Sequence, residues 1–150
     1  MSIISLASGE SAWKGYNYFK EGKVIFVEKN GENEFVAAVN GSESNVYAVE
    51  FYTEHPRKSS CDCPHANGKR IFCKHIVAAF FAAFPSEAEK YYNEVIEYER
   101  EEEKRQAELE NKLIKYVGKM TKAELKETLL ELLFYGPEWQ YDIFIRDHIK

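Results

Sequence analysis

The chain has 150 residues, 45% of them hydrophobic and 15% aromatic, which is enough for a packed core and too much for a disordered segment. The formal net charge is -5, and no apolar run approaches the roughly 20 residues of a membrane-spanning helix, the longest being Ile76 to Phe84. Met1 to Glu10 lacks the basic and apolar regions of a secretory signal, so the expectation is a soluble, cytoplasmic protein with no membrane partner. The net charge hides an asymmetry: residues 1–85 balance nine basic against nine acidic side chains, whereas residues 86–150 carry eleven against sixteen. Within the balanced part, Arg57, Lys58, Lys69, Arg70 and Lys74 surround a cluster of three cysteines, with Asp62 the one opposing charge. Local sign matters more for partner choice than the total does.

In chain order, Ser11 to Lys20 places Ala12, Trp13, Tyr16 and Phe19 near helical spacing, with Gly22 positioned to end the helix. Three strand-like runs follow: Val24 to Glu28, Phe35 to Val39, and Val46 to Tyr52, the last alternating between Val46, Ala48, Glu50 and Tyr47, Val49, Phe51. Asn30-Gly31 and Asn40-Gly41 separate them, both sequences that accept the positive φ of tight hairpins, so an antiparallel three-stranded meander is expected. A turn-rich stretch from Arg57 to Phe72 leads into Cys73-Lys74-His75, which opens an apolar helix ending at Pro85. Ser86 and Glu89 suggest a capping box for a second, long helix reaching about Val117. Its middle, Glu99 to Gln106, has no strongly apolar residue, and Glu101–Arg105 and Glu108–Lys112 are spaced as ion pairs on a solvated helix. A coiled coil would put Glu102 and Arg105 in its seam, which argues against one. Thr121 and Glu124 form another capping box, after which Leu125, Leu129, Leu132 and Leu133 line one helix face. Gly136-Pro137 breaks that helix, and Glu138 to Ile149 reads as a short last one with Trp139 and Ile143 facing in. The fold class is therefore α+β, in two parts: residues 1–85, with a short helix, a three-stranded sheet and a metal-bound loop leading into a helix, and residues 86–150, an all-helical tail.

Three cysteines cannot all pair, and a reducing compartment disfavours disulfides, so their clustering points to a metal. Cys61-Asp62-Cys63, nine further residues and Cys73-Lys74-His75 supply three thiolates and an imidazole, a common closed set for structural zinc. Ligands one residue apart would point to opposite faces of a regular strand, so Cys61 and Cys63 need a bend, which Pro64 suits. Cys73 should lie just before the helix, with His75 in its first turn. His65, two residues past Cys63, is the rival for the fourth ligand; His55 and His148 read as surface residues. An iron–sulfur cluster would more naturally use four cysteines, and no C-x-x-C redox pair is present.

The spacing C-x-C, nine residues, C-x-H, with the strings CDCP and CKHIVAA, resembles the SWIM-type zinc finger family. The strings GYNYFKEGKV and AAVNGSESNVYAVEF resemble the sheet that precedes this finger in bacterial members, and MTKAELKETLLELL resembles the helical region that often follows. The resemblance implies Cys61, Cys63, Cys73 and His75 as zinc ligands. It also implies a module that binds DNA or protein. Family members include helicases and transposases, but these 150 residues contain neither part, so only the module carries over. Two functions are then in view. The first is a nucleic-acid-binding adaptor, DNA foremost, with Arg57, Lys58, Lys69, Arg70 and Lys74 on phosphates. The second is a protein-docking module that uses the finger and the helical tail. An enzyme is the weakest reading: there is no P-loop or glycine-rich nucleotide pattern, no small-molecule substrate is implied, and a zinc with four protein ligands has no open position.

Overall fold

A computed structural model describes residues 2–42 and 45–149. Residues 43 and 44, which fall after the expected Asn40-Gly41 turn, lie outside the described residues. The chain divides into two compact units, Met1–Glu97 and Tyr98–Lys150.

The first unit opens with a four-residue helix α1 (Ile3–Leu6) that no periodicity announces; Ser2 and Ser5 cap it reciprocally. Helix α2 (Gly9–Lys20) starts at an N-cap Ser8, and Gly22 then takes the left-handed conformation, φ 67°, to turn the chain into the sheet. Strands β1 (Val24–Lys29), β2 (Glu34–Asn40), β3 (Val46–Tyr52) and β4 (Ser60–Cys61) form one antiparallel sheet in the order β1-β2-β3-β4. The expected three strands are present, and the fourth is a correction. It is two residues long, too short to show alternation, and is defined only by its pairing of Cys61 with Val49 and Ser60 with Glu50.

The two hairpins fall where the Asn-Gly pairs stand, but neither Gly31 nor Gly41 adopts a positive φ. The first connection spans residues 30–33, longer than the two-residue turn that would demand it, and is closed by the Asn30 N–H donating to the Glu34 carbonyl at 2.9 Å. Side chains one residue apart in a strand face opposite sides, so Phe35, Ala37 and Val39 share a face with their cross-strand partners Phe51, Val49 and Tyr47. That face is the core side, with Ala37, Val39, Val49 and Phe51 buried.

Helix α3 (Lys74–Ala83) packs on this face and is nearly all apolar; Ile76, Val77, Ala78, Ala79 and Phe81 are fully buried. A helix apolar all round must be covered on more than one side, and α2 supplies the second cover. They approach closely at Gly15, where an added Cβ would sit 2.5 Å from Val77 Cβ and 2.9 Å from the Lys74 carbonyl oxygen. Gly15→Ala therefore sets two effects against each other. Helix propensity favours alanine by about 1 kcal/mol, while overpacking against a backbone carbonyl costs about 1–3 kcal/mol. The clash should win, and thermal melting of the zinc-loaded protein should show a lower midpoint for Gly15→Ala; an unchanged or raised midpoint would refute the close approach.

Helix α4 (Pro85–Val117) begins directly after α3. Proline opens it, a position where its missing N–H costs nothing. The expected Ser86–Glu89 box does not form its start, because the N–H groups of Glu87 and Ala88 donate to the Phe84 carbonyl, which places the helix entry one residue before Pro85. Ala88 is buried, and Tyr91 packs against Phe81 with ring centroids 5.5 Å apart. Further along α4, Arg105 pairs with Glu102 at 2.6 Å rather than with Glu101.

The second unit comprises the rest of α4, α5 (Lys122–Tyr135) and α6 (Glu138–His148). The Thr121–Glu124 capping box is present in both directions. No residue of 98–149 is buried. Trp139 and Ile143, expected to face in, are 60% and 41% exposed, because the neighbouring helices offer no core for them to enter. Among the described residues, no helix is long and apolar enough to cross a membrane.

Candidate metal centre

The four sequence-predicted ligands converge. One donor atom from each of Cys61, Cys63, Cys73 and His75 lies within 4.8 Å of the other three, and all four residues are buried. Each arrives by a different device. Cys61 is held by β4 pairing on β3, and Cys63 follows in a bend, so the C-x-C pair does turn out of strand geometry. Between them, the Asp62 carboxylate accepts from the Ala48 N–H at 2.9 Å, and the Asp62 N–H donates to the Ala48 carbonyl at 3.2 Å. Cys73 is the N-cap of α3, and His75 lies in the first turn. The Ser59 hydroxyl accepts from the Tyr52 N–H at 3.1 Å, so the run from Ser59 to Asp62 is fastened along the outer edge of β3 at both ends.

The imidazole is fixed from two sides. Tyr47 lies 4.7 Å from it between centroids and Tyr18 meets it edge-on at 5.6 Å. Tyr47 in turn rests over Gly41, where any Cβ would run into its ring. His75 Nδ1 sits 3.8 Å from both the Cys61 and Cys73 sulfurs. Zinc bonds of 2.3 Å to sulfur and 2.0–2.1 Å to nitrogen at a tetrahedral angle place S and N about 3.6 Å apart, so this spacing suits one shared ion. His75 Nε2 is buried without a hydrogen-bond partner, which leaves Nδ1 as the nitrogen presented to the thiols.

The electrostatics of the donors also fit a cation. The Cys73 thiol is drawn down to about 4, first by its hydrogen bond with the Cys61 thiol and then by His75 and the first backbone N–H groups of α3. The Cys61 thiol is pushed far up by that same shared hydrogen bond and by burial, and burial followed by the Cys73 charge raises Cys63. Three crowded sulfurs hold one negative charge readily and resist a second. A divalent cation removes that conflict, since metal-bound thiols are deprotonated.

His65 is exposed and stands outside the four-donor cluster, although it lines a cavity of about 320 Å³ beside Cys63, Cys73 and His75. His55 and His148 are exposed. The five basic residues do not all line one cavity. Lys74 places its ammonium 4.3 Å from the centre of the Tyr18 ring, beside His75. Arg57 and Arg70 line a common cleft elsewhere, Lys58 adjoins Arg57 in a neighbouring one, and Lys69 is exposed in the turn after Gly68. Sequence reasoning missed Asp62, Tyr18 and Tyr47 as site residues. Asp62 carried a signal, being the single residue within C-x-C, whereas the tyrosines come from separate elements and carried none.

No curated protein and no solved structure matched the chain. Residues 39–84 match the family model for the SWIM zinc finger, a span that runs from the end of β2 through all four ligands to the end of α3. With four buried donors at zinc spacing inside the matched span, the chain carries a SWIM zinc finger, and zinc is its cofactor.

Proposed function

We propose that the protein is a non-catalytic adaptor whose zinc finger binds nucleic acid, DNA foremost. The observation that carries this reading is the sign of the finger's surface. Arg57, Lys58, Lys69 and Arg70 are exposed and, among the described residues, form no ion pair, although the chain as a whole is acidic. Unpaired cations on a small domain attract a polyanion, and each phosphate engaged on duplex DNA adds about 0.9 to the salt slope. Zinc supplies the scaffold in this reading: three thiolates and one imidazole complete a tetrahedron and leave no position for water or substrate. Three buried, unpaired cysteines fit a reducing compartment such as the cytoplasm.

The test is fluorescence anisotropy of the zinc-loaded protein with labelled DNA and RNA at low and physiological salt. Binding that weakens steeply with salt, and drops when Arg57, Lys58, Lys69 and Arg70 are changed to alanine, is the expected result. No binding at low salt would overturn the reading.

One observation favours a second reading, docking of a partner protein. The helical tail leaves Leu109, Leu113, Leu125, Leu129 and Leu132 at least 40% exposed, apolar surface that a partner protein would cover. That reading takes over if no nucleic acid binds.

A further inference from the structure

Arg57 and Arg70 line one cleft of about 290 Å³, whose other walls are Leu6 at the end of α1 and the half-buried Phe72. Through Leu6 and Arg57 this cleft adjoins another, of about 350 Å³, that includes His55, Pro56 and Lys58. The two make a trough with three cations and a single carboxylate, Glu54. Among the described residues, none of the three cations forms an ion pair.

The composition of the trough selects among polyanions. Guanidinium groups pair with phosphate through a planar fork, and an aromatic ring beside them offers a face for an unstacked base. A duplex keeps its bases stacked inside and presents a convex wall of phosphates, so it can touch only the rim of a concave site. A single strand can lay its backbone along the cations and turn a base toward the ring.

We infer that this trough binds single-stranded nucleic acid, with Arg57 and Arg70 on backbone phosphates and Phe72 against a base. The inference rests on the nucleic-acid reading proposed above and adds the strand state and the site. Lys74 lies outside the trough and takes no part.

The test uses the full-length, zinc-loaded protein and labelled oligonucleotides of about 12 residues, within the site size of small single-strand binders, as single-stranded DNA, single-stranded RNA and blunt duplex DNA. Single strands should bind at least about tenfold more tightly than the duplex. Arg57→Ala and Arg70→Ala should each weaken single-strand binding and remove about 0.7 from its salt slope. Phe72→Leu, which keeps an apolar side chain against the core, should weaken it about tenfold with the slope unchanged, and Phe72→Tyr should restore it. Both arginines are exposed, so they keep the test decisive if Phe72→Leu fails to fold. Duplex bound as tightly as single strands, or single-strand binding untouched by the two arginine variants, overturns the inference and leaves nucleic-acid binding standing. Binding of no polymer overturns both.

Discussion

Cys73→Ser should strip the protein of zinc and unfold the segment from Arg57 to Phe84. Serine is among the best N-cap residues, and at the start of α3 it could favour the helix by about 1 kcal/mol. Against that stands the metal, for which apparent binding in small fingers is worth about 10–16 kcal/mol, comparable to the whole stability of a domain, about 5–15 kcal/mol. No local helix gain offsets such a loss. The surroundings add to it, because Cys61, Cys63 and Cys73 belong to the same buried cluster as Phe51 and Ile76. Metal analysis should fall from one zinc per chain to none, and near-ultraviolet circular dichroism should collapse. Native hydrogen-exchange protection over residues 57–84 in the serine variant would sink this expectation. His75→Ala should behave alike, since it removes a ligand and the ring held between Tyr18 and Tyr47.

Phe81→Ala should cost about 3–5 kcal/mol, the range for emptying a buried aromatic site. Phe81 is fully buried, and its ring meets Tyr16 edge-on at 6.1 Å, Tyr91 at 5.5 Å and Phe19 at 6.3 Å. Those partners come from α2 and α4, so the hole would open where three helices converge. Tyr16 would keep its stacking partners Trp13 and Tyr92 and so resist collapse into the hole. For a unit of this size each kcal/mol shifts the melting midpoint by about 4–8 °C, and the midpoint should drop by more than about 12 °C with zinc retained. A shift of only a few degrees would mean that the site repacks. Phe134→Ala is the control: at 64% exposure in α5, its effect should stay within about 0.5 kcal/mol.

How much of this was legible beforehand depended on whether a feature had a period or a chemical spacing. Val46 to Tyr52 alternates as expected, and the structure buries Val49 and Phe51 on the Tyr47 side. The ligand set was legible because thiolates and imidazoles at that spacing have few other uses. Helix α1 and strand β4 were not, since four and two residues are too few to establish a period. The Ser86–Glu89 motif misled because Pro85 is equally at home inside a helix start. Apolar spacing alone predicts Trp139 and Ile143 facing in, yet such spacing states only that a face wants cover, and both side chains are exposed.

The clasp from Ser59 to Asp62 carries a consequence for the fate of the protein once zinc is lost. The outer side of β3 is a strand edge, and it is covered by the β4 pairing at Val49 and Glu50, by Asp62 on the Ala48 N–H and C=O, and by the Ser59 hydroxyl on the Tyr52 N–H. Release of Cys61 and Cys63 from the ion leaves that cover two residues of ladder and two side-chain bonds. An uncovered β3 offers Val46 to Tyr52, rich in β-branched and aromatic residues, as a template for another chain. Chelation should therefore end in self-association through this edge, and a lysine at Ala48, whose side chain points away from the core, should slow it.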